Sequence, residues 1–136
     1  MTSLSEATII AVEDDANALL VIIDLLRLGG ADQCYSRKSV DAAISFAKKL
    51  TQPVDLFLVD INMPGKSGFE LLEIVRATPE LAAAKVVAVT AGTFEEDVQK
   101  ARDAGFDGFI SKPLKTTLFP SQIQRILDGE AVWDWR

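Results

Sequence analysis

Acidic side chains that could hold a divalent cation occur at two separate places in this chain of 136 residues. Glu13, Asp14 and Asp15 follow one apolar run, and Asp60 follows another. Carboxylates crowded into a partly buried cleft raise one another's pKa or recruit a cation, and hard oxygen ligands suit Mg²⁺ or Mn²⁺. Taken alone, the first acidic run is better explained by helix capping, because acids oppose the positive end of a helix dipole.

A hydroxyl and an ammonium group follow two further apolar runs. One run ends in Thr90, and another is followed by Ser111, Lys112 and Pro113. Phosphoryl transfer to an aspartate needs an acceptor carboxylate, a metal held by further carboxylates, a hydroxyl donor and a fixed cation. Each residue singly has an ordinary structural explanation, but the combination, each member after a different run, indicates phosphoryl-transfer chemistry.

The elements that must position these groups alternate along the chain. Five short β-branched or apolar runs alternate with five helical segments, which predicts an α/β fold, a doubly wound parallel sheet of five strands with helices on both faces. The predicted strands are residues 7–12, 31–35, 56–59, 85–89 and 108–110, and the predicted helices are residues 17–28, 39–50, 68–77, 94–104 and 117–127. Ligands of such sheets bind beyond the carboxyl ends of the strands, so the groups above should lie together at that edge of the sheet.

Composition narrows the class of protein further. The length predicts one domain over residues 1–130 with a short tail over residues 131–136. A net charge of −6 with scattered basic residues argues against direct binding of nucleic acid. Without a basic signal-peptide start or an apolar run of membrane-spanning length, we expect a soluble cytoplasmic protein with no membrane contact.

Histidine and cysteine usage excludes several kinds of site. The chain has no histidine, which excludes histidine bases, histidine metal ligands and a phosphohistidine on this chain itself. The single cysteine, Cys34, cannot form an intramolecular disulfide, and we expect it to be a buried structural thiol.

With these motifs the chain resembles the response-regulator receiver domains of two-component signalling, which include single-domain chemotaxis and cell-cycle regulators. The likeness spans residues 8–127. Thirty positions separate Asp60 from Thr90 and twenty-two separate Thr90 from Lys112, as in the family. The motifs that carry it are Val12-Glu13-Asp14-Asp15, Leu58-Val59-Asp60-Ile61-Asn62-Met63-Pro64-Gly65 with Gly68, Val89-Thr90-Ala91 and Ser111-Lys112-Pro113.

The resemblance implies a flavodoxin-like strand order of 2-1-3-4-5 and a role for each acidic residue. Asp60 would accept a phosphoryl group from a sensor histidine kinase or a histidine phosphotransfer protein in a phosphorelay, forming an acyl phosphate. Asp14 and Asp60 would bind Mg²⁺ (or Mn²⁺) through carboxylates, Asn62 through its carbonyl, and Glu13 through a water. Glu13 stands where many relatives have Asp, and Asp15 is expected to start a helix.

The remaining matched residues would handle the phosphoryl group and the signal. Thr90 and Lys112 would contact phosphoryl oxygens, and a cis bond would join Lys112 to Pro113. Phe109, by default a packing residue, would act with Thr90 as a switch that biases a conformational equilibrium. A downstream protein would dock on the fourth helix, fifth strand and fifth helix, within residues 94–127.

Turn and access residues complete the set. Pro64, Gly65 and Gly68, with Met63, would form the turn that exposes Asp60, the glycines allowing unusual backbone angles. Asn62 and Gly92 would tune the access of hydrolytic water. The resemblance implies a signalling protein that is no turnover enzyme and catalyses only its own phosphorylation and dephosphorylation.

Two other functions stay open at the level of sequence. A phosphatase of the haloacid dehalogenase type also uses Mg²⁺ and an aspartate nucleophile, but it expects a second Asp where this chain has Asn62. A receiver-like binding module that works without phosphorylation is the main alternative, although no acceptor, lysine or acidic residue is lost. Trp133 and Trp135 in the tail could anchor a partner, pack back on the domain or mark a trimmed boundary.

Overall fold

Strands and helices alternate throughout the computed structural model, which describes residues 2–91 and 95–134. The strands are β1 Thr8–Val12, β2 Gln33–Arg37, β3 Leu56–Val59, β4 Lys85–Thr90, β5 Gly108–Ser111 and β6 Val132–Asp134. The helices are α1 Ala16–Leu28, α2 Val40–Lys49, α3 Gly68–Ala77, α4 Glu95–Ala104 and α5 Phe119–Leu127. The predicted alternation is confirmed, with one further strand at the end.

The strands form one parallel sheet in the order β2-β1-β3-β4-β5-β6. The predicted order of the first five strands is confirmed. Because β1 lies between β2 and β3, the strand order reverses at β1, and a crevice opens there at the carboxyl edge of the sheet.

Helices cover both faces of the sheet, as predicted. Helices α2, α3 and α4 pack on one face, against side chains such as Ile10 and Phe57. Helices α1 and α5 pack on the other face, against side chains such as Ile9 and Leu58. Strands β1 and β3 are buried along their whole length, as is usual for central parallel strands, so the residues just beyond them are held on a rigid base.

The predicted bounds of the second strand were wrong by two residues at each end. Ala31 is still bonded to the end of α1, because its N–H donates to the carbonyl of Leu26 at 2.9 Å. Gly30, with a φ of 106°, makes the turn that leads from α1 toward β2. Strand β2 lies at the edge of the sheet and is partly exposed, so its apolar pattern is weak and gave a poor guide to its limits.

Side chains at the helix starts explain other boundaries. Asp15 caps α1 by accepting from the backbone N–H groups of Asn17 and Ala18, which confirms its expected place at a helix start. Ser39 caps α2 in the same way. Helix α5 begins two residues later than predicted, because Leu118 is still in a turn that bonds to Lys115. The predicted start of the fourth helix, at residue 94, lies outside the described residues.

The prediction of a five-stranded sheet was wrong by one strand, because β6 forms within the predicted tail. It pairs in parallel with β5, matching Gly108 with Val132 and Phe109 with Trp133. A run of three residues is too short to show a strand period, so β6 could not be recognised from the sequence. In this way Trp133 packs back on the domain, whereas Trp135 lies outside the described residues.

Two smaller expectations can be compared with the structure. Cys34 is buried, as expected. Among the described residues, no helix has both the length and the apolar character needed to cross a membrane.

Candidate functional site

The predicted site residues lie where the sheet ladder continues just past the strand ends. The N–H of Asp60 donates to the carbonyl of Val12 at 3.2 Å. The N–H of Lys112 donates to the carbonyl of Thr90 at 2.9 Å, and the N–H of Glu13 donates to the last residue of β2 at 3.1 Å. Because these backbones are still tied to neighbouring strands, their side chains start from fixed positions.

Among the described residues, three donors surround the carboxylate of Asp60. Oδ1 accepts from the backbone N–H of Asn62 at 2.8 Å and from the hydroxyl of Thr90 at 2.9 Å. Oδ2 accepts from Nζ of Lys112 at 3.3 Å. The side chain of Asp60 is 13% exposed, so the carboxylate is oriented from within the protein and still open to a reactant.

The hydroxyl of Thr90 is buried and links two site residues. It donates to Asp60, and its oxygen lies 3.4 Å from the side-chain amide nitrogen of Asn62, which donates to it. Thr90 therefore already points at the predicted acceptor.

Lys112 joins the acidic groups that follow β1 and β3. Its ammonium pairs with Oε1 of Glu13 as well as with Asp60. The other oxygen of Glu13 accepts from the backbone N–H of Asp14 at 2.9 Å. The side chain of Glu13 is only 3% exposed, so this carboxylate depends on Lys112 as its counterion.

The shifts in pKa follow from this arrangement. Burial raises the pKa of Glu13, and the negative charge of Asp60 adds to the rise, while Lys112 partly offsets it. Burial alone would lower the pKa of Lys112, but its bond to Glu13 and the charge of Asp60 outweigh that effect and raise it. Lys112 is therefore a fixed cation at neutral pH.

The loop after Asp60 reaches α3 through a close backbone contact. Gly65 has a φ of 76°, so the expected unusual backbone angle is present there, and Pro64 beside it is exposed. The expectation for Gly68 was wrong, because its φ is not positive. A Cβ at Gly68 would lie 2.9 Å from Cα of Ile61 and 3.1 Å from the carbonyl oxygen of Asp60, so glycine is needed here for space.

The oxygen atoms of the site suit the expected Mg²⁺. In residues 2–91 and 95–134, no three His, Cys, Asp or Glu side chains form a cluster that could hold a metal. Mg²⁺ needs fewer protein ligands, because it keeps several waters and is usually held by one or two carboxylates with substrate phosphates. Asp60 with the exposed Asp14 and the Asn62 carbonyl fits that requirement, whereas Glu13 is engaged with Lys112.

The remaining predicted residues lie near the site, on the neighbouring strand and loop. Phe109 is fully buried and is matched across the sheet with Ala88, two residues before Thr90, so Phe109 and Thr90 lie on the same sheet face. The bond between Lys112 and Pro113 is cis. Gly92 lies outside the described residues.

Sequence reasoning missed the capping box that starts α3. Ser67 accepts from the N–H of Glu70, and the Glu70 side chain accepts from the N–H of Ser67. The signal was present, because a serine followed three residues later by glutamate marks a helix start. The box fixes the far end of the loop that begins at Asp60.

The chain is similar to signalling proteins in both sequence and fold. The family model of the response regulator receiver domain matches residues 9–124. The polar-differentiation response regulator DivK of Brucella ovis is 30% identical over 124 residues, which cover 91% of this chain and 98% of DivK. The region that the family model matches includes the whole candidate site and ends before β6.

Solved structures show the same architecture. The signal receiver domain of a signal transduction histidine kinase from Syntrophus aciditrophicus has a TM-score of 0.77 at 27% identity, covering 90% of this chain and 91% of that one. The chemotaxis response regulator CheY4 of Vibrio cholerae has a TM-score of 0.79 at 24% identity, covering 88% of this chain and 98% of CheY4. The likeness to CheY4 supports the fold alone.

Replacing Lys112→Ala should destabilise the protein in a pH-dependent manner. The change leaves Glu13 buried without its counterion, at a cost of about 2 kcal/mol near neutral pH, less than for fully buried pairs because Lys112 is partly exposed. Because folding raises the pKa of Glu13, the Glu13 carboxylate binds a proton at a higher pH in the folded protein than in the unfolded chain. The penalty should therefore shrink as pH falls through the raised pKa of Glu13, as measured by urea unfolding.

Lys66→Ala is the matched control, because Lys66 pairs with Asp41 on the surface at 2.6 Å. Its loss should lower the free energy of unfolding far less than the loss of Lys112, because solvent screens the exposed pair. An equal cost for both variants at every pH would contradict the proposed dependence of Glu13 on Lys112.

Replacing Gly68→Ala should destabilise the protein by about 1–3 kcal/mol and displace the backbone around Asp60, because the new Cβ meets Ile61 and the Asp60 carbonyl. The amide resonance of Asn62, which donates to Asp60, should shift in NMR spectra. Ser67→Ala, which removes only the helix cap, should cost about 1 kcal/mol and leave that resonance in place. An unshifted Asn62 amide in Gly68→Ala would refute the steric explanation.

Proposed function

The chain belongs to the response regulator receiver domain family, and on this premise we propose that Asp60 accepts a phosphoryl group from the phosphohistidine of a sensor histidine kinase or a histidine phosphotransfer protein. The observation that carries the proposal is the placement of Thr90 and Lys112 as donors to the carboxylate of Asp60. A hydroxyl, an ammonium and an oriented carboxylate meet at one partly exposed point, as phosphoryl transfer requires.

The transfer moves one phosphoryl group between two proteins. A carboxylate oxygen of Asp60 attacks the phosphorus, the bond from phosphorus to the donor histidine breaks, and an acyl phosphate forms. The Lys112 ammonium and the Thr90 hydroxyl, which now donate to the carboxylate, turn to the equatorial phosphoryl oxygens and neutralise their charge. Both donors start within 3.3 Å of the acceptor, so little reorganisation is needed.

The proposed metal site uses the residues that fit Mg²⁺ (or Mn²⁺). Asp14 and Asp60 would hold the ion through carboxylates, Asn62 through its carbonyl, and Glu13 through a water. When bound, the ion neutralises charge on the transferring phosphoryl group. The buried Glu13 would serve chiefly to hold Lys112 between the two acidic segments.

The proposed chemistry is limited to phosphorylation of Asp60 and hydrolysis of the acyl phosphate. Asn62 is a side-chain amide and cannot act as the general acid that a haloacid dehalogenase phosphatase needs two positions after its nucleophile. Its amide lies beside Thr90, at the rim of the site, where it would influence access of water. Gly92 is proposed to share this role.

The signal is proposed to pass from Thr90 to Phe109 and then to the surface of α4, β5 and α5, where a downstream protein docks. Thr90 and Phe109 share one sheet face, so a change at the acyl phosphate can reach that edge through side-chain packing. We place this action in the cytoplasm, with protein partners and without direct contact with nucleic acid or membrane.

Incubation with acetyl phosphate and Mg²⁺ should add one phosphoryl group to the intact protein, as measured by mass spectrometry. Asp60→Ala should abolish the gain, because it removes the attacking oxygen. Asp55→Ala is a control carboxylate, since Asp55 lies at the opposite end of β3 and bonds to Thr8. The Asp55→Ala variant, once shown to be folded, should gain a phosphoryl group as the wild-type protein does.

A folded wild-type protein that gains no phosphoryl group would overturn the proposal. The phosphorylation-independent binding module would then be the better function. A gain that persists in Asp60→Ala would place the acceptor elsewhere.

Two adjacent acids should have separable functions. Asp14→Ala should raise the Mg²⁺ concentration for half-maximal phosphorylation by at least about ten-fold, comparable with the loss of a supporting metal contact. Asp15→Ala should leave that concentration unchanged and lower the free energy of unfolding by about 1 kcal/mol, because Asp15 caps α1. Equal Mg²⁺ requirements in the two variants would contradict the assignment of Asp14.

A further inference from the structure

Strand β6 covers the edge of β5, the strand that carries Phe109. The two strands pair in parallel over three residues, and Val132 is buried against the core beneath α5. The side chain of Gln122 on α5 donates to Asp134 at 2.7 Å. The family match ends at residue 124, so β6 is an addition to the matched receiver region.

The lack of a side chain at Gly108 on β5 leaves room for β6. A Cβ at Gly108 would lie 2.7 Å from the carbonyl oxygen of Val132, which is too close without backbone movement. Its next neighbours, Val87 and Ile126, would be at 3.5 and 3.6 Å, which is ordinary contact. The steric need for glycine at this position therefore comes from β6.

Trp133 occupies the space beside Phe109. The two residues are register neighbours and their side chains join the same core cluster, on the face that α4 covers. The guanidinium of Arg102 on α4 lies 4.7 Å from the centre of a Trp133 ring. A rotation of Phe109 toward the open edge of the sheet would meet Trp133, and Phe109 is fully buried in this arrangement.

The same tail also shares a cleft with Lys112. Lys112, Trp133 and Asp134 are among the residues that line this cleft of about 540 Å³. With β6 seated, the hydroxyl of Thr90 donates to Asp60, and Phe109 is fully buried in the core on the same sheet face. The seated strand thus coincides with the arrangement of donors that a phosphoryl group requires.

We propose that β6 is a built-in clamp: its seating on β5 holds Phe109 inward, and seating of β6 and phosphorylation of Asp60 stabilise each other. The inference rests on the proposed function, because it needs Asp60 to be phosphorylated. Reciprocity follows from linkage, since a modification that favours the seated state must itself be favoured by seating. On the proposed docking surface of α4, β5 and α5, the seated strand adds Trp133 beside Arg102.

The chain's tryptophans allow a direct test, because both lie in the tail. In a Trp135→Phe background, the fluorescence of Trp133 alone reports seating, and beryllium fluoride with Mg²⁺ serves as an analogue of the phosphoryl group. Adding the analogue should lower quenching of Trp133 by acrylamide. Gly108→Ala should red-shift the emission, raise quenching and increase the half-saturating beryllium fluoride concentration by about five-fold or more, a typical coupling between sites.

A second pair of variants covers the case in which Gly108→Ala does not fold. Trp133→Ala removes the proposed contact with Phe109, whereas Trp133→Phe keeps an aromatic ring. Phosphoryl gain is measured by intact mass at graded acetyl phosphate concentrations with Mg²⁺. Trp133→Ala should need a several-fold higher concentration for half-maximal gain, and Trp133→Phe should stay near the parent protein.

The outcomes separate the two proposals. Absence of any phosphoryl gain in the folded parent protein would overturn the proposed function and the clamp together. Normal phosphorylation with unchanged half-maximal concentrations in Gly108→Ala and Trp133→Ala would overturn the clamp alone. Unaltered quenching of Trp133 when the analogue is bound would also overturn it.

Discussion

The buried ion pair between Glu13 and Lys112 organises the site. A carboxylate that is 3% exposed requires a counterion, and the counterion that meets this need also reaches Asp60. Lys112 therefore stands beside Asp60, the proposed acceptor, for a structural reason. Glu13 and Asp60 with the single cation Lys112 leave a residual negative charge at the site, which favours the approach of a further cation.

This pairing is possible only because the sheet brings distant segments to one edge. Glu13 and Lys112 are 99 positions apart in sequence, but each follows a parallel strand and its backbone continues the ladder. Burial of β1 and β3 on both faces keeps those strand ends fixed. The capping box of α3 and the tight contact at Gly68 fix the loop beyond Asp60, so the open side of the site is also held in place.

The residues that follow the strands could be predicted from the sequence, because apolar runs show where strands end and side chains with reactive groups stand out there. The partner of Glu13 could not be predicted, because pairing across the sheet depends on side-chain geometry. The steric requirement for glycine at position 68 could not be predicted either, since the sequence cannot distinguish a glycine needed for its φ from one needed for space. Strand β6 was missed because its three residues depend on contacts with β5 and α5.

The proposed signal path runs along Thr90, Phe109 and Trp133. These side chains lie on one face of three adjacent strands, and Trp133 is the register neighbour of Phe109. The sheet itself can stay rigid while this row of side chains repacks. Here β6 places Trp133 beyond Phe109, so the row ends on a half-buried aromatic side chain next to Arg102, and the proposed signal would reach the surface where the added strand lies.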